Sequence, residues 1–223
     1  MKIDIRAPGV PYSPLPDFKV EELRNQPERT IVVLGVPRGG TTMMAGVTQR
    51  CGIWLGSGLP GNLEDPDFVK KPMDHMLEAV KKRNAERKVW GWKYPAAVRY
   101  LPELHDELRN PHYIIVLRDP LASGLRELRG GDKSLLQALM NKHRLQLQNL
   151  QFAKSARAPF LFVSYERAIA HPVKCAEAVA RFTGGQVPED LDELVEFMKP
   201  ESYKPVNEEI GQNVAQDEAD DSN

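Results

Sequence analysis

Four consecutive apolar residues, Ile31 to Leu34, run without a break into Gly35-Val36-Pro37-Arg38-Gly39-Gly40-Thr41-Thr42. The apolar run predicts a short buried strand. After the glycines, Met43, Met44, Val47 and Cys51 recur at helical spacing, with Gly52 as the stop. Strand, glycine turn and helix in that order make an anion cradle. Glycines allow close backbone approach, and the first N–H groups of the helix have no intrahelical partners, so they point at a ligand. Gly35 and Gly40 have the spacing of a Walker A loop, but Thr41 stands where that loop carries its lysine. The cation lies inside the loop instead, as Arg38. This predicts a loop that grips phosphate or sulfate and differs from an ordinary ATP loop.

The rest of the chain alternates short apolar runs with helical patterns. Val89 to Pro95 predicts a second strand ending at a turn, with Trp90 and Trp92 on one face and Gly91 and Lys93 on the other. Tyr113 to Leu117 is apolar throughout and reads as a central parallel strand, and Phe160 to Ser164 reads as a further one, running into Tyr165-Glu166. Helical patterns fall at Pro66–Lys88, Pro102–Arg109, Ala122–Arg129, Val173–Phe182 and Pro188–Met198, with Gly130-Gly131 and Gly184-Gly185 as breaks. Ser134 caps a long helix to about Ser155, whose stripe of Leu135, Leu136, Leu139, Met140, His143, Leu147 and Leu150 is expected to face the core, with His143 packed inside it. The alternation predicts a three-layer α/β fold with a mainly parallel central sheet, P-loop NTPase-like in its first strand–loop–helix unit. No internal repeat is present.

Three segments are expected. Residues 1–29 carry Pro8, Pro11, Pro14, Pro16 and Pro27 and read as an extended lead with a helical turn near Val20–Asn25. Residues 30–200 form the α/β domain. Residues 201–223 hold an acidic tail: Asn207 to Asn223 has six acids and no Lys or Arg, and its composition predicts disorder. Net charge is −1 over 223 residues, so the remainder carries +5. That suits an anionic ligand and is too little to argue for nucleic acid. No apolar run approaches the roughly 20 residues of a membrane span, and two cysteines, Cys51 and Cys175, fit a reduced cytoplasmic protein.

Three strand ends bear anion-directed groups: the Arg38–Thr42 loop, Lys93 and Arg118. In a parallel sheet such ends line one crevice. A lysine at a buried strand end is rarely placed there without a partner, and an arginine fork suits a phosphate. Two readings stand for Glu64 and Asp65. They face the crevice from the flexible Gly56–Pro66 loop, or they begin the helix at Pro66, where acids favour the dipole. Lys70, Lys71, Lys81, Lys82, Arg83, Arg87 and Lys88 read as a solvated helix face, and Met73 and Met76 as core.

At these residues the chain resembles the sulfotransferase family, whose members use 3′-phosphoadenosine 5′-phosphosulfate (PAPS). Val36-Pro37-Arg38-Gly39-Gly40-Thr41-Thr42 looks like the family's 5′-phosphosulfate loop. Trp92-Lys93-Tyr94-Pro95 resembles its second-strand motif, where a Lys or His lies beside the sulfuryl group. Val116 to Pro120 is similar to the 3′-phosphate motif, with Arg118 as the phosphate-binding arginine. Val163 to Arg167, with His171-Pro172, resembles the strand motif whose tyrosine, here Tyr165, lies near the adenine. The chain departs from the pattern at Arg126, where members carry a serine for the 3′-phosphate, and at Gly39, where serine is common. Met43 replaces a tryptophan of some members, and no Arg-Lys-Gly follows near the C-terminus.

The resemblance implies sulfuryl transfer to a hydroxyl or amine of a small-molecule, lipid or carbohydrate acceptor, with PAPS as donor and no metal. Lys93 and Arg38 are then catalytic, opposing developing charge; Glu64 is the first candidate for general base and His75 the second. Gly39, Gly40, Thr41, Thr42, Arg118, Arg126 and Tyr165, with Arg38, hold the donor. Two other classes stay open: a P-loop-type small-molecule kinase, and a non-catalytic nucleotide-binding protein of the same fold.

Overall fold

A computed structural model gives the structure of residues 6–128 and 134–200. Five strands form one sheet: β1 (Gly9–Tyr12), β2 (Arg29–Leu34), β3 (Val89–Lys93), β4 (Pro111–Leu117) and β5 (Phe160–Ser164), in the order β1-β5-β4-β2-β3. β5, β4, β2 and β3 run parallel, and β1 closes one edge antiparallel to β5, with Gly9 opposite Val163 and Tyr12 opposite Phe160. β1 falls in the proline-rich lead, where extended chain was expected but no pairing. Pro11 is tolerated there because an edge strand has one side whose N–H groups need no ladder partner.

Helices cover both faces: α1 (Asp17–Asn25), α2 (Thr41–Arg50), α3 (Met73–Glu86), α4 (Leu101–Leu104), α5 (Pro120–Leu128), α6 (Leu135–Ser155), α7 (Tyr165–Ala170), α8 (Pro172–Thr183) and α9 (Leu191–Met198). Alternation along the central strands divides the core in two. Ile31, Val33, Ile114, Val116, Leu161 and Val163 face α2, α8 and α9. Val32, Leu34, Trp90, Trp92, Tyr113 and Phe160 face α3, α4 and α6. Trp92 stacks on Phe68 at 4.1 Å between centroids, and Trp90 stacks on Trp92 at 5.7 Å, so the two tryptophans share a face as their alternation required. The result is the expected three-layer α/β arrangement with a mainly parallel sheet. Among the described residues no helix is long and apolar enough to cross a membrane.

Several expectations need correction. The helix placed at Pro66–Lys88 opens as a single 3-10 turn, Pro66–Phe68, and α3 starts only at Met73. The Pro102–Arg109 helix is the four-residue α4 followed by a 3-10 turn at His105–Glu107. The chain after β5 turns at once into α7, because Ser164 caps it through Arg167 N. The last helix begins at Leu191, capped by Asp190. Gly130-Gly131 and the tail from residue 201 lie outside the described residues.

The largest correction concerns α6. Its buried face is Ala138, Lys142, Leu145, Asn149, Phe152 and Ala153. Most of the leucine-rich stripe points the other way: Leu136 is 67% exposed and Leu147 55%, and His143 is exposed as well, while Leu139 is half-buried beside Gly124 of α5. Both faces repeat at helical spacing, and periodicity alone does not say which one meets the sheet. Leu145→Ala is expected to lower stability by about 2–4 kcal/mol, whereas Gln148→Ala, on the solvent side, should stay within about 0.5 kcal/mol. Urea unfolding midpoints check both.

Candidate functional site

The site is built where β2 stops. Gly35 N donates to Pro95 O at 3.1 Å, which holds the loop against the end of β3. The chain then turns through Arg38 at φ 62° and Gly40 at φ 90° into α2. Gly40 cannot be replaced cheaply. A Cβ there would lie 2.2 Å from the Tyr165 ring, and its φ disfavours any side chain. As N-cap, Gly40 brings no side chain to the first N–H groups of α2, so they remain available to an anion.

For those N–H groups to face outward, the loop's carbonyls must find donors behind it. Five of them do. Gly35 O accepts from Asn149 Nδ2 at 3.1 Å, and Pro37 O from Lys142 Nζ at 2.6 Å. Arg38 O accepts from Arg118 Nη1 at 3.0 Å. Val36 O takes Gly39 N at 2.9 Å, and Gly40 O takes Met44 N at 3.1 Å. Lys142 is 2% exposed and also pairs with Glu127 of α5. Sequence reasoning missed Lys142 and Asn149 altogether. The available signal was a lysine and an asparagine seven apart, on the face of α6 opposite its leucine stripe.

Lys93 ends β3 with its side chain 1% exposed. Its ammonium donates to Glu64 Oε1 at 3.2 Å and to Thr42 Oγ1 at 3.4 Å. The Thr42 hydroxyl in turn donates to Asn62 O at 3.2 Å, and Asn62 Oδ1 accepts from Glu64 N at 3.1 Å. Lys93, Thr42, Asn62 and Glu64 thus close a ring between the loop, β3 and the segment after α2. Burial pushes the Lys93 ammonium down from its ordinary value to about 8; the adjacent Glu64 charge pulls it partly back up.

Glu64 and Asp65 part company. Glu64 faces Lys93, while Asp65 turns inward, caps the Pro66–Phe68 turn through Asp67 N and meets Arg83 at 2.6 Å. Arg83 is not on a solvated face: it is 7% exposed, also bonds Asp67 at 2.9 Å, and lies over Phe68 at 4.9 Å and Trp54 at 5.3 Å. It pins the segment that carries Glu64. His75 is engaged by Asp67 at 3.0 Å.

Arg118 emerges from β4 beside the loop, and its guanidinium lies 4.1 Å above the Tyr165 ring. Asp119 is not its partner but caps α5 through Ala122 N at 2.7 Å. Tyr165 is 4% exposed, beneath Gly40 and Arg118. Arg38, Gly39, Gly40, Thr41, Thr42, Lys93, Glu64, Arg118 and Tyr165 therefore converge on one edge of the sheet. Arg126 lies half-buried in the last turn of α5, the helix that follows Arg118.

Comparisons with known proteins point to a family and a fold. A family model described as the sulfotransferase family matches residues 60–189. Among solved structures, the chain is similar to the sulfotransferase domain from the Synechococcus PCC 7002 olefin synthase. The TM-score is 0.54 at 19% identity, with 78% of each chain covered. At that identity the likeness concerns the fold, a P-loop-like α/β sheet. No curated protein matches the chain.

Lys142→Met keeps an unbranched side chain of similar length but leaves the Pro37 carbonyl without its donor. Urea unfolding is expected to show a loss of about 1–3 kcal/mol.

Proposed function

Since the chain belongs to the sulfotransferase family, we propose that it moves a sulfuryl group from PAPS to a hydroxyl or amine of a small-molecule, lipid or carbohydrate acceptor. The observation that carries this reading is Lys93. A lysine 1% exposed at the end of a parallel strand is held between the first turn of α2 and a single carboxylate. Burying a cation so completely is costly unless an anion completes its surroundings. The residues present fit such a donor: a glycine cradle with no room for a Cβ at Gly40, uncapped N–H groups of α2, and Arg118 at the neighbouring strand end.

When bound, PAPS supplies a sulfuryl group whose bond to phosphate breaks as the acceptor oxygen or nitrogen attacks, leaving adenosine 3′,5′-bisphosphate. Gly40, Thr41 and Thr42 offer backbone N–H groups to the phosphosulfate, Gly39 closes the turn where a Cβ would strike Val36 O, and Arg38 adds its charge from the loop crest. Lys93 would oppose the negative charge that such a transfer develops, and its 1% exposure would strengthen that interaction. Transfer of this kind resembles loose phosphoryl transfer, in which positioning and charge carry most of the acceleration. Glu64, its side chain 22% exposed and held 3.2 Å from Lys93, takes the acceptor's proton. Arg118 and Arg126 are assigned to the 3′-phosphate. Tyr165 supports Arg118 and Gly40 from below.

Thermal shift separates this reading from its competitors. Adenosine 3′,5′-bisphosphate should raise the melting temperature, and ATP with magnesium should not. The reverse pattern would favour a small-molecule kinase. Stabilisation without labelled-sulfate transfer to any acceptor would favour a nucleotide-binding protein that does not turn over.

The pH profile tests the two charged residues. Lys93 must be protonated to oppose charge, so kcat/KM should fall as pH rises through about 8, the value of the free enzyme. Lys93→Met should cost roughly 10²–10³ in kcat and abolish that limb. Glu64→Gln should cost roughly 10²–10⁴. Because Glu64 raises the Lys93 value, its removal should also move the alkaline limb to lower pH. An unchanged rate and profile for Glu64→Gln would remove it as the base.

A further inference from the structure

The outer face of α6 is apolar, exposed and regularly spaced. Leu136, Met140, His143, Leu147 and Leu150 follow one another at intervals of four, three, four and three residues. Leu136 is 67% exposed, Met140 50%, Leu147 55% and Leu150 42%, and His143 is exposed with them. This is the 3.5-residue repeat of a helix-pairing seam, about 21 Å long at 1.5 Å per residue. It lies opposite the face that bonds the loop through Lys142 and Asn149. Leu121 and Leu125, one turn apart on neighbouring α5, are each 49% exposed as well.

We propose that this face pairs with the same face of a second copy of the chain, α6 against α6 in antiparallel order, about a two-fold axis at His143. A two-fold interface must be self-complementary: if residue i meets j, then j meets i. The stripe satisfies that condition. With His143 on the axis, Leu136 meets Leu150 of the second copy and Met140 meets Leu147, so every apolar position finds an apolar one. Charge agrees. From Leu135 to Ala153 the charged side chains are Lys142, which is buried, and Arg144, which is exposed. The flanking positions are otherwise Gln and Asn, so two copies approach with little like-charge repulsion. Arg144 lies beside the axis and carries its charge outward on a long apolar stem. A membrane surface would call for a polar face rich in Lys and Arg, which α6 lacks. To the acidic segment Asn207–Asn223 this face offers a single exposed cation, Arg144.

Sedimentation equilibrium of the full chain from low to high micromolar concentration should show a reversible dimer. Leu147→Glu sets an unpaired charge against Met140 of the second copy and should weaken the dimer by more than about tenfold, with the thermal shift by adenosine 3′,5′-bisphosphate unchanged. Geometry is read by cross-linking, since the native Cys51 and Cys175 are buried and do not compete. Under mild oxidation His143→Cys should give a covalent dimer and Leu136→Cys alone should not, whereas Leu136→Cys with Leu150→Cys should. A wild-type protein that stays monomeric throughout overturns the proposal, including one that cosediments with phosphatidylcholine vesicles instead. So does a dimer that survives Leu147→Glu, or one that Leu136→Cys alone cross-links, which would mean parallel helices.

Discussion

Backbone carbonyls decide how an anion cradle stands up. A loop that turns its N–H groups toward a ligand turns carbonyls into the protein, where each must find a donor or incur a desolvation penalty. Here the donors come from three places far apart in sequence: Asn149 and Lys142 on α6, Arg118 at the end of β4, and the loop's own N–H groups. Arg38 at φ 62° keeps a backbone angle that a free non-glycine residue would not favour, because the surrounding bonds over-determine it, whereas Gly40 adopts φ 90° without steric cost. The sheet order serves the same end. β2 lies between β3 and β4, so Lys93 and Arg118 arrive on either side of the loop.

A second constraint is the charge carried into that edge. Lys93 is enclosed, and its immediate company is Thr42 and Glu64. Glu64 belongs to a segment with little regular structure, which ought to be the least fixed part of the site. It is held by an ion pair buried beneath it, where Asp65 and Asp67 grip Arg83 among Trp54, Phe68 and Trp90. Removing one member of so enclosed a pair leaves the other charge unpaired, which is why such pairs fix geometry even where they add little net stability. The proposed base is thereby positioned by a residue that looked like one more surface charge on a basic helix.

Helix α6 shows why the site was only partly legible. Its leucine stripe is the stronger hydrophobic signal and was expected to face the core. The structure buries the weaker one, with a lysine and an asparagine in it, because the loop's carbonyls lie on that side and only donors can satisfy them. Polar groups buried against backbone leave a faint periodic trace, and the apolar stripe left outside reads as core to any argument from spacing. Arg83 was misplaced for the same reason, since its partners Asp65 and Asp67 lie on a turn whose approach no local pattern reveals. Tyr165 likewise sits beneath the loop, where its ring fills the space that Gly40 leaves.

What the sequence determined by itself was everything carried by local chemistry and strand-end position. That includes the alternation that makes a three-layer sheet, the glycine turn ahead of α2, and the placing of Lys93 and Arg118 at the ends of apolar strands. Those follow because a buried parallel strand must be apolar along its length and can show a charge only where it leaves the sheet. Tertiary structure alone decided which face of α6 turns inward, that Glu64 rather than Asp65 meets Lys93, and that Arg118 braces the loop it stands beside. Each is a choice among groups of equal local propensity, settled by which buried donor or acceptor would otherwise have gone without a partner.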